Sequence, residues 1–224
     1  MKKSEDAPDS ELRAIWLGNV DYVSSVELQR SMAEARKSGL LPDSILLLEH
    51  PHIFTLGRKA DKSHVLSGKS TLRMFGIEVH ETDRGGEVTY HGPGQLVGYP
   101  VLDLRPDRCD VHRYVRDLEE VLIRTAAAYG IQAGRLEGMT GVWVGQEKLA
   151  AIGVRLSRWV TSHGFALNVT TNLEHFRFIV PCGLPGLGVT SFERLLGFAP
   201  PREELDEFLS NEFSGVFGRR GQFV

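Results

Sequence analysis

Cys182 stands in Val180-Pro181-Cys182-Gly183-Leu184-Pro185-Gly186, a segment with neither helical nor strand periodicity. The flanking proline restrains one side of the thiol, and the glycine leaves the other open to close approach by a substrate carbonyl. That setting suits a nucleophile, although a free cysteine is more often a small buried hydrophobe. Cys109 makes a rival claim, since it precedes an amphipathic helix and lies near Arg105 and Arg108, features that favour thiolate. A thiol nucleophile needs a group to take its proton or stabilise the anion. Histidine is the usual choice, and of the eight present, His91 and His163 sit in glycine-rich segments. Lys148 is less usual. It follows a hairpin turn and leads into Leu-Ala-Ala-Ile-Gly-Val, and alternation puts it on one face with Ala150, Ile152 and Val154. An ammonium beside apolar groups generally gives up its proton more readily than one in water, so a lysine there could shuttle protons. The competing reading is an exposed lysine at a hairpin end.

Arg84-Gly85-Gly86 and His91-Gly92-Pro93-Gly94 bracket a short strand with backbone-rich loops. Such loops can aim N–H groups at an anion or carbonyl oxygen, with an arginine adding charge, or they can simply be turns. His50, His52, His64 and His91 lack the coherent ligand spacing of a zinc site, so no metal is expected. Arg58, Lys59 and Lys62 form a basic cluster that could dock an acidic partner or be a solvated loop.

Positioning these groups falls to elements that can be read from periodicity. A short strand over Ala14 to Gly18 precedes a helix opened by Ser24-x-x-Glu27, with Leu28, Met32 and Ala35 on one face and Gly39 at its end. Ser44 to Glu49 reads as a buried strand, stopped at His50-Pro51-His52 and followed by loop through Gly57-Arg58-Lys59. Strands follow at Ile77 to His80, Val88 to Tyr90 and Leu96 to Leu104. The clearest helix opens near Asp110, stripes Val111, Tyr114, Val115, Leu118, Val121 and Leu122, and stops at Gly130. Residues 141–154 read as a hairpin turning at Gly145-Gln146-Glu147, and Ser162 to Val169 as a further strand. Thr190-x-x-Glu193 opens a short helix, and Pro200-Pro201 a last one with Leu205, Phe208, Leu209 and Phe213 inward. Strands arrive mostly in adjacent pairs, so an α+β fold with a mixed or antiparallel sheet and flanking helices is expected rather than a doubly wound parallel sheet.

Composition narrows the class. With 224 residues, 42% hydrophobic and 25% charged, the chain is expected to bury a sizeable core as one domain over residues 13–224, after a flexible polar tail over 1–12. A net charge of -3 argues against nucleic acid as the main partner. No apolar run is long enough to span a bilayer, and the first residues lack the apolar core of a secretory signal, so neither a membrane nor export is expected and the location is read as cytoplasmic. Two cysteines are too few for a disulfide scaffold.

Five blocks in order carry a resemblance: Leu48-Glu49-His50-Pro51 with Thr55-x-Gly57, Arg84-Gly85-Gly86-Glu87-Val88-Thr89-Tyr90-His91-Gly92-Pro93-Gly94-Gln95, Lys148 with Ile152-Gly153-Val154, His163-Gly164-Phe165-Ala166-Leu167-Asn168-Val169, and Pro181-Cys182-Gly183. The chain resembles the lipoyl(octanoyl) transferases over nearly all its length beyond the polar tail. The resemblance implies a fold like the catalytic domain of biotin and lipoate protein ligases. It also implies a Cys182/Lys148 dyad that works without metal, ATP or other cofactor, and demotes Cys109. Arg84, Gly85, Gly86, Glu87, Val88, Thr89, Tyr90, His91, Ala151, Ile152, Gly153, Gly164, Phe165 and Ala166 are implied to line the acyl pocket. The implied donor is octanoyl-acyl carrier protein, and the implied acceptors are lipoyl domains of 2-oxoacid dehydrogenase complexes or the glycine cleavage H protein. An ATP-dependent lipoate or biotin-type ligase and a non-catalytic lipoyl-domain binder are the alternatives.

Overall fold

The computed structural model describes residues 11–180 and 187–223. In chain order its elements are β1 (Glu11–Asn19), α1 (Tyr22–Lys37), β2 (Asp43–Glu49), β3 (Ile53–Leu56), α2 (Lys69–Met74), β4 (Glu78–Glu81), β5 (Val88–His91) and β6 (Gln95–Val101). They continue with α3 (Val111–Ala128), β7 (Gly134–Leu136), β8 (Met139–Val144), β9 (Glu147–Ser157), β10 (Val160–Asn168), β11 (Gly188–Val189), α4 (Phe192–Leu196), α5 (Arg202–Phe217) and β12 (Arg220–Phe223). The described residues form a nine-stranded sheet in the order β12-β1-β2-β6-β10-β9-β8-β7, with β11 added beside β9, and a three-stranded sheet β4-β3-β5. Both sheets are mixed: β1 runs parallel to β2 and β12, β11 parallel to β9 and β3 parallel to β4, while the remaining pairs are antiparallel.

The apolar run Ile45 to Leu48 is uninterrupted because both faces of β2 are covered. Ile45 and Leu47 pack with Tyr114, Leu118 and Leu122 of α3 and with Leu209 and Phe213 of α5. Leu46 and Leu48 pack with Val97, Tyr99 and Ala166 on the opposite face, the one covered by α1. Each of these leucines contributes about 1.5–3 kcal/mol on burial. The smaller sheet has its own core of Phe54, Leu56, Val88, Tyr90, Phe176 and Phe178.

Several sequence expectations need correction. Helix α1 begins at Tyr22 and is capped by Asp21, whose Oδ1 accepts from the Ser24 N–H at 3.0 Å, so Ser24 lies inside the first turn. Its fully buried face is Tyr22, Ser25, Gln29 and Ala33; of the expected stripe, Met32 is half-buried and packs on the core, Ala35 is half-buried and Leu28 is exposed. Residues 53–56, expected to be loop, are the central strand of the small sheet. Val111 of α3 is exposed and Val115 only half-buried, the buried stripe instead running on to Thr125 and Ala126. Ser191, not Thr190, caps α4. In α5, Phe208 faces out while Phe217 joins the core. Glu11 and Leu12 belong to β1 rather than to a tail, with Leu12 buried; residues 1–10 lie outside the described residues. Among the described residues no helix is long and apolar enough to cross a membrane.

Candidate active site

Where β5 of the small sheet faces β9 and β10 of the large one, a cavity of about 180 Å³ opens. Of the residues expected in an acyl pocket, Arg84, Gly86, Glu87, Val88, Thr89, His91, Ala151, Ile152, Gly153, Gly164, Phe165 and Ala166 line it together with Lys148. Gly85 and Tyr90 do not. The Gly85 N–H is bonded to the Val154 carbonyl, and the Tyr90 hydroxyl is buried between His52 Nδ1 at 2.8 Å and His175 Nδ1 at 2.9 Å. The wall also includes residues that sequence reasoning did not assign to it, among them Tyr22, Tyr99, Thr140, Phe176 and Val189. Nothing local marks Tyr22 or Tyr99, since each is brought in by packing of α1 and β6.

Lys148 reaches the cavity through an irregularity. On β8 and β9, Val142 pairs with Ala150 and Trp143 with Lys148, so Leu149 is an extra residue on β9. Such a bulge resets the alternation of side chains. Leu149 and Ala150 therefore both enter the main core, whereas Lys148 and Ala151 line the cavity. The expected face shared with Ala150, Ile152 and Val154 is corrected accordingly. Lys148 is 7% exposed, and its Nζ lies 4.6 Å from the centroid of the Trp143 ring. A face-on indole attracts a cation at this range.

A directed hydrogen-bond chain runs from Arg84 round the cavity wall to the backbone of Lys148. The buried guanidinium of Arg84 donates from Nη2 to the Thr55 and Glu87 carbonyls, at 2.6 and 2.8 Å, and from Nη1 to the Gly85 carbonyl. Arg84 Nε and Nη2 also donate to Thr55 Oγ1 at 3.2 and 2.9 Å. That hydroxyl lies 3.3 Å from His91 Nε2, while His91 Nδ1 lies 2.8 Å from the Gln95 carbonyl oxygen Oε1. Because Oε1 can only accept, Nδ1 carries the proton and Nε2 accepts from Thr55. Gln95 Nε2 then donates to Asn168 Oδ1 at 2.9 Å, and Asn168 Nδ2 donates to the Thr190 carbonyl. The Thr190 N–H closes the run on the Lys148 carbonyl at 3.0 Å. Gly57 makes room for this loop: a Cβ there would stand 2.3 Å from the Gly86 carbonyl oxygen.

Electrostatics keep the buried imidazoles neutral. Burial, reinforced by the neighbouring His50 and Arg84, holds His91 well below the usual imidazole range. Both its nitrogens are engaged, so His91 serves as a strut rather than as a proton acceptor. His50 is lowered to about 4, chiefly by burial. Its Nδ1 donates to the Val20 carbonyl at 2.6 Å and its Nε2 accepts from the Tyr99 hydroxyl. His163 is also lowered by burial, although Asp83, 2.9 Å from its Nε2, pulls the other way. Its φ of 55° is costly for a non-glycine residue, and the Gln29 side chain of α1 holds the bend by accepting the His163 N–H at 2.7 Å. That contact explains why a glutamine is buried on α1.

Cys109 is exposed and does not line the cavity, and its Sγ donates to the Leu104 carbonyl at 3.7 Å. Cys182 lies outside the described residues. On either side of it in the chain, Phe176 and Val189 both line the cavity. Val189 pairs with Lys148 in the short parallel ladder of β11 and β9. His50, His52, His64 and His91 are spread over separate partners, and among the described residues no group of three or more His, Cys, Asp or Glu side chains could hold a metal ion.

Comparison with known proteins fits this geometry. The family model for the lipoyl protein ligase A/B catalytic domain matches residues 21–214. An octanoyltransferase of Solibacter usitatus is 54% identical over 201 residues, covering 90% of this chain and 90% of its own. One from Rubrobacter xylanophilus is 49% identical over 206 residues, covering 91% of this chain and 92% of its own. Among solved structures, lipoate-protein ligase A bound with ATP matches with a TM-score of 0.76 at 17% identity, covering 96% of this chain and 89% of that one. A putative lipoate protein ligase from T. acidophilum gives a TM-score of 0.75 at 16% identity, with 96% and 88% covered. The structural likeness establishes a shared fold, and the sequence likeness goes further: the chain belongs to the octanoyltransferase family, built on the lipoyl protein ligase A/B catalytic domain.

Proposed function

We propose that the protein, as one catalytic domain, transfers an octanoyl group from acyl carrier protein to a lysine of a lipoyl domain through a thioester on Cys182, in the cytoplasm. The observation that carries this reading is a largely apolar cavity with Lys148 in its wall and, beside it, Phe176 and Val189, which flank the Cys182 segment in the chain. Lys148 as ammonium favours ionisation of the thiol. The Cys182 thiolate attacks the carbonyl carbon of the octanoyl thioester, and collapse of the tetrahedral adduct expels the carrier's thiolate, which takes its proton from Lys148. In the second half, the acceptor amine attacks the Cys182 thioester, gives up a proton to Lys148, and the Cys182 thiolate leaves as the amide forms. Exchange between thioesters is close to neutral in free energy, whereas amide formation from a thioester is downhill, so no nucleotide is needed. Acceptors would be lipoyl domains of 2-oxoacid dehydrogenase complexes or the glycine cleavage H protein.

Mixing the protein with octanoyl carrier protein, without nucleotide, should add one octanoyl mass to the intact chain. Cys182→Ser should abolish that adduct and Cys109→Ser should keep it. An adduct that survives Cys182→Ser refutes the nucleophile assignment. Product formed only from free octanoate with ATP would instead favour the ligase chemistry named for the structural neighbour.

A further inference from the structure

Resting on the reading above, we propose that the segment from Arg58 to Arg73 is the docking surface for the acidic donor carrier protein. Within a chain whose net charge is -3, this segment carries Arg58, Lys59, Lys62, Lys69 and Arg73 against one carboxylate, Asp61. All five cations are exposed. Lys62 pairs with Glu81, but Arg58, Lys59, Lys69 and Arg73 have no carboxylate partner among the described residues. Elsewhere, exposed cations such as Arg124, Arg135, Arg158 and Arg177 are paired within the chain, Arg30 and Arg113 being exceptions. Unsatisfied positive charge is thus concentrated on one stretch.

The stretch is also fixed to the cavity. The backbone N–H groups of Gly57, Arg58 and Lys59 donate to the carbonyls of Glu87, Arg84 and Gly86, which belong to the cavity wall. Asp61 N–H and His64 Nδ1 both meet the Glu87 carboxylate. On its far side, the Leu66 N–H donates to the Phe178 carbonyl, and the His64 carbonyl accepts the Val180 N–H at 2.8 Å, two residues before Cys182 in sequence. A protein seated on Arg58 and Lys59 is therefore beside both the acyl cavity and the chain leading to the nucleophile. Exposed Leu66 and Met74 supply apolar contact within the charged field.

Charge decides between the two macromolecular substrates. An acyl carrier protein is acidic, and its acyl group hangs from an arm that bears a phosphodiester, so both body and arm are attracted to a basic rim. The reacting group of the acceptor is a lysine that must attack as a neutral amine, and it gains nothing from a basic rim. The surface accordingly favours the donor half-reaction.

The test compares wild-type protein with two exposed charge-reversal variants, Arg58→Glu/Lys59→Glu and Lys69→Glu/Arg73→Glu. Equilibrium binding of octanoyl carrier protein is measured by titration at low salt and at about 0.15 M salt, where the screening length falls to about 8 Å. Acylation by a small uncharged octanoyl thioester, octanoyl-N-acetylcysteamine, is measured beside it. We expect carrier affinity to fall about tenfold or more in the first variant, with less salt dependence remaining. Acylation by the small thioester and the half-saturating concentration of the acceptor domain should stay at wild-type values. Unchanged carrier affinity in both variants overturns the proposal, as does loss confined to the acceptor, or undetectable binding of the carrier by the wild type. Tight, salt-sensitive carrier binding without any acyl adduct would leave the docking surface standing and remove the thioester mechanism instead.

Discussion

Replacing Thr55 by valine tests whether the cavity wall is held by its hydrogen-bond chain or by packing. The side chain is fully buried on β3 and nearly isosteric with valine, so the change is chiefly a hydroxyl for a methyl. Lost with it are the acceptor of Arg84 Nε and of one Nη2 contact, and the donor to His91 Nε2. Hydrogen bonds to a charged group contribute about 1.5–3 kcal/mol and neutral ones about 1. Arg84 Nη2 keeps the Thr55 and Glu87 carbonyls, so the total loss should be about 3 kcal/mol rather than more. For a chain of this size, that corresponds to a melting temperature lower by about 6–12 °C. Thr55→Ser keeps the hydroxyl and removes one methyl, costing about 1 kcal/mol. Reversible urea unfolding, followed by tryptophan fluorescence, should rank the variants wild type, Ser, Val in falling stability. If serine proves as damaging as valine, or worse, packing rather than the hydroxyl holds the loop, and the account of Arg84 and His91 as one connected strut is wrong.

Two further outcomes are expected. A Cβ on Gly153 would stand 2.8 Å from the Gly85 carbonyl oxygen and 3.1 Å from Arg84 Cδ. Gly153→Ala should therefore cost about 1–3 kcal/mol through overpacking and weaken long-chain acyl donors more than short ones, measured as half-saturating concentrations; equal effects across chain lengths would remove Gly153 from the acyl wall. His50 titrates at about 4 in the fold against an ordinary value of 6.5, so its contribution to stability is complete above pH 6.5 and is lost as pH falls towards 4. The full contribution is about 3 kcal/mol at most. His50→Gln should flatten the fall in unfolding free energy over that window, and an unchanged slope in the variant would show that other groups drive it; His91 and His163 act in the same direction.

Elements with strong periodicity and unambiguous punctuation were legible. The α3 helix, capped by Asp110 and ended at Gly130, was found because its apolar stripe faces a core from one side only. The β8–β9 hairpin was found from its Gly145-Gln146 turn, with Val144 paired to Glu147. The register of α1 is hard to read because its buried face includes two polar residues, Ser25, whose Oγ donates to the Tyr22 carbonyl, and Gln29, which accepts from His163 on the distant β10. β3 was missed because its four residues, between a proline and a glycine, leave too short a pattern to separate from loop.

By itself the sequence determined the α+β class, the strand-rich pairing of elements and the blocks that mark the family, because these depend on local periodicity, turn residues and residue identity. Only the tertiary structure decided which face Lys148 presents, since a single extra residue at Leu149 resets the alternation and can be seen only against the partner strand. It likewise decided that Arg84 braces the wall through Thr55 and that Tyr22, Tyr99 and Phe176 complete the cavity. Those contacts join residues far apart in the chain, and the hydrogen-bond geometry and close packing that select them exist only once both sheets have come together.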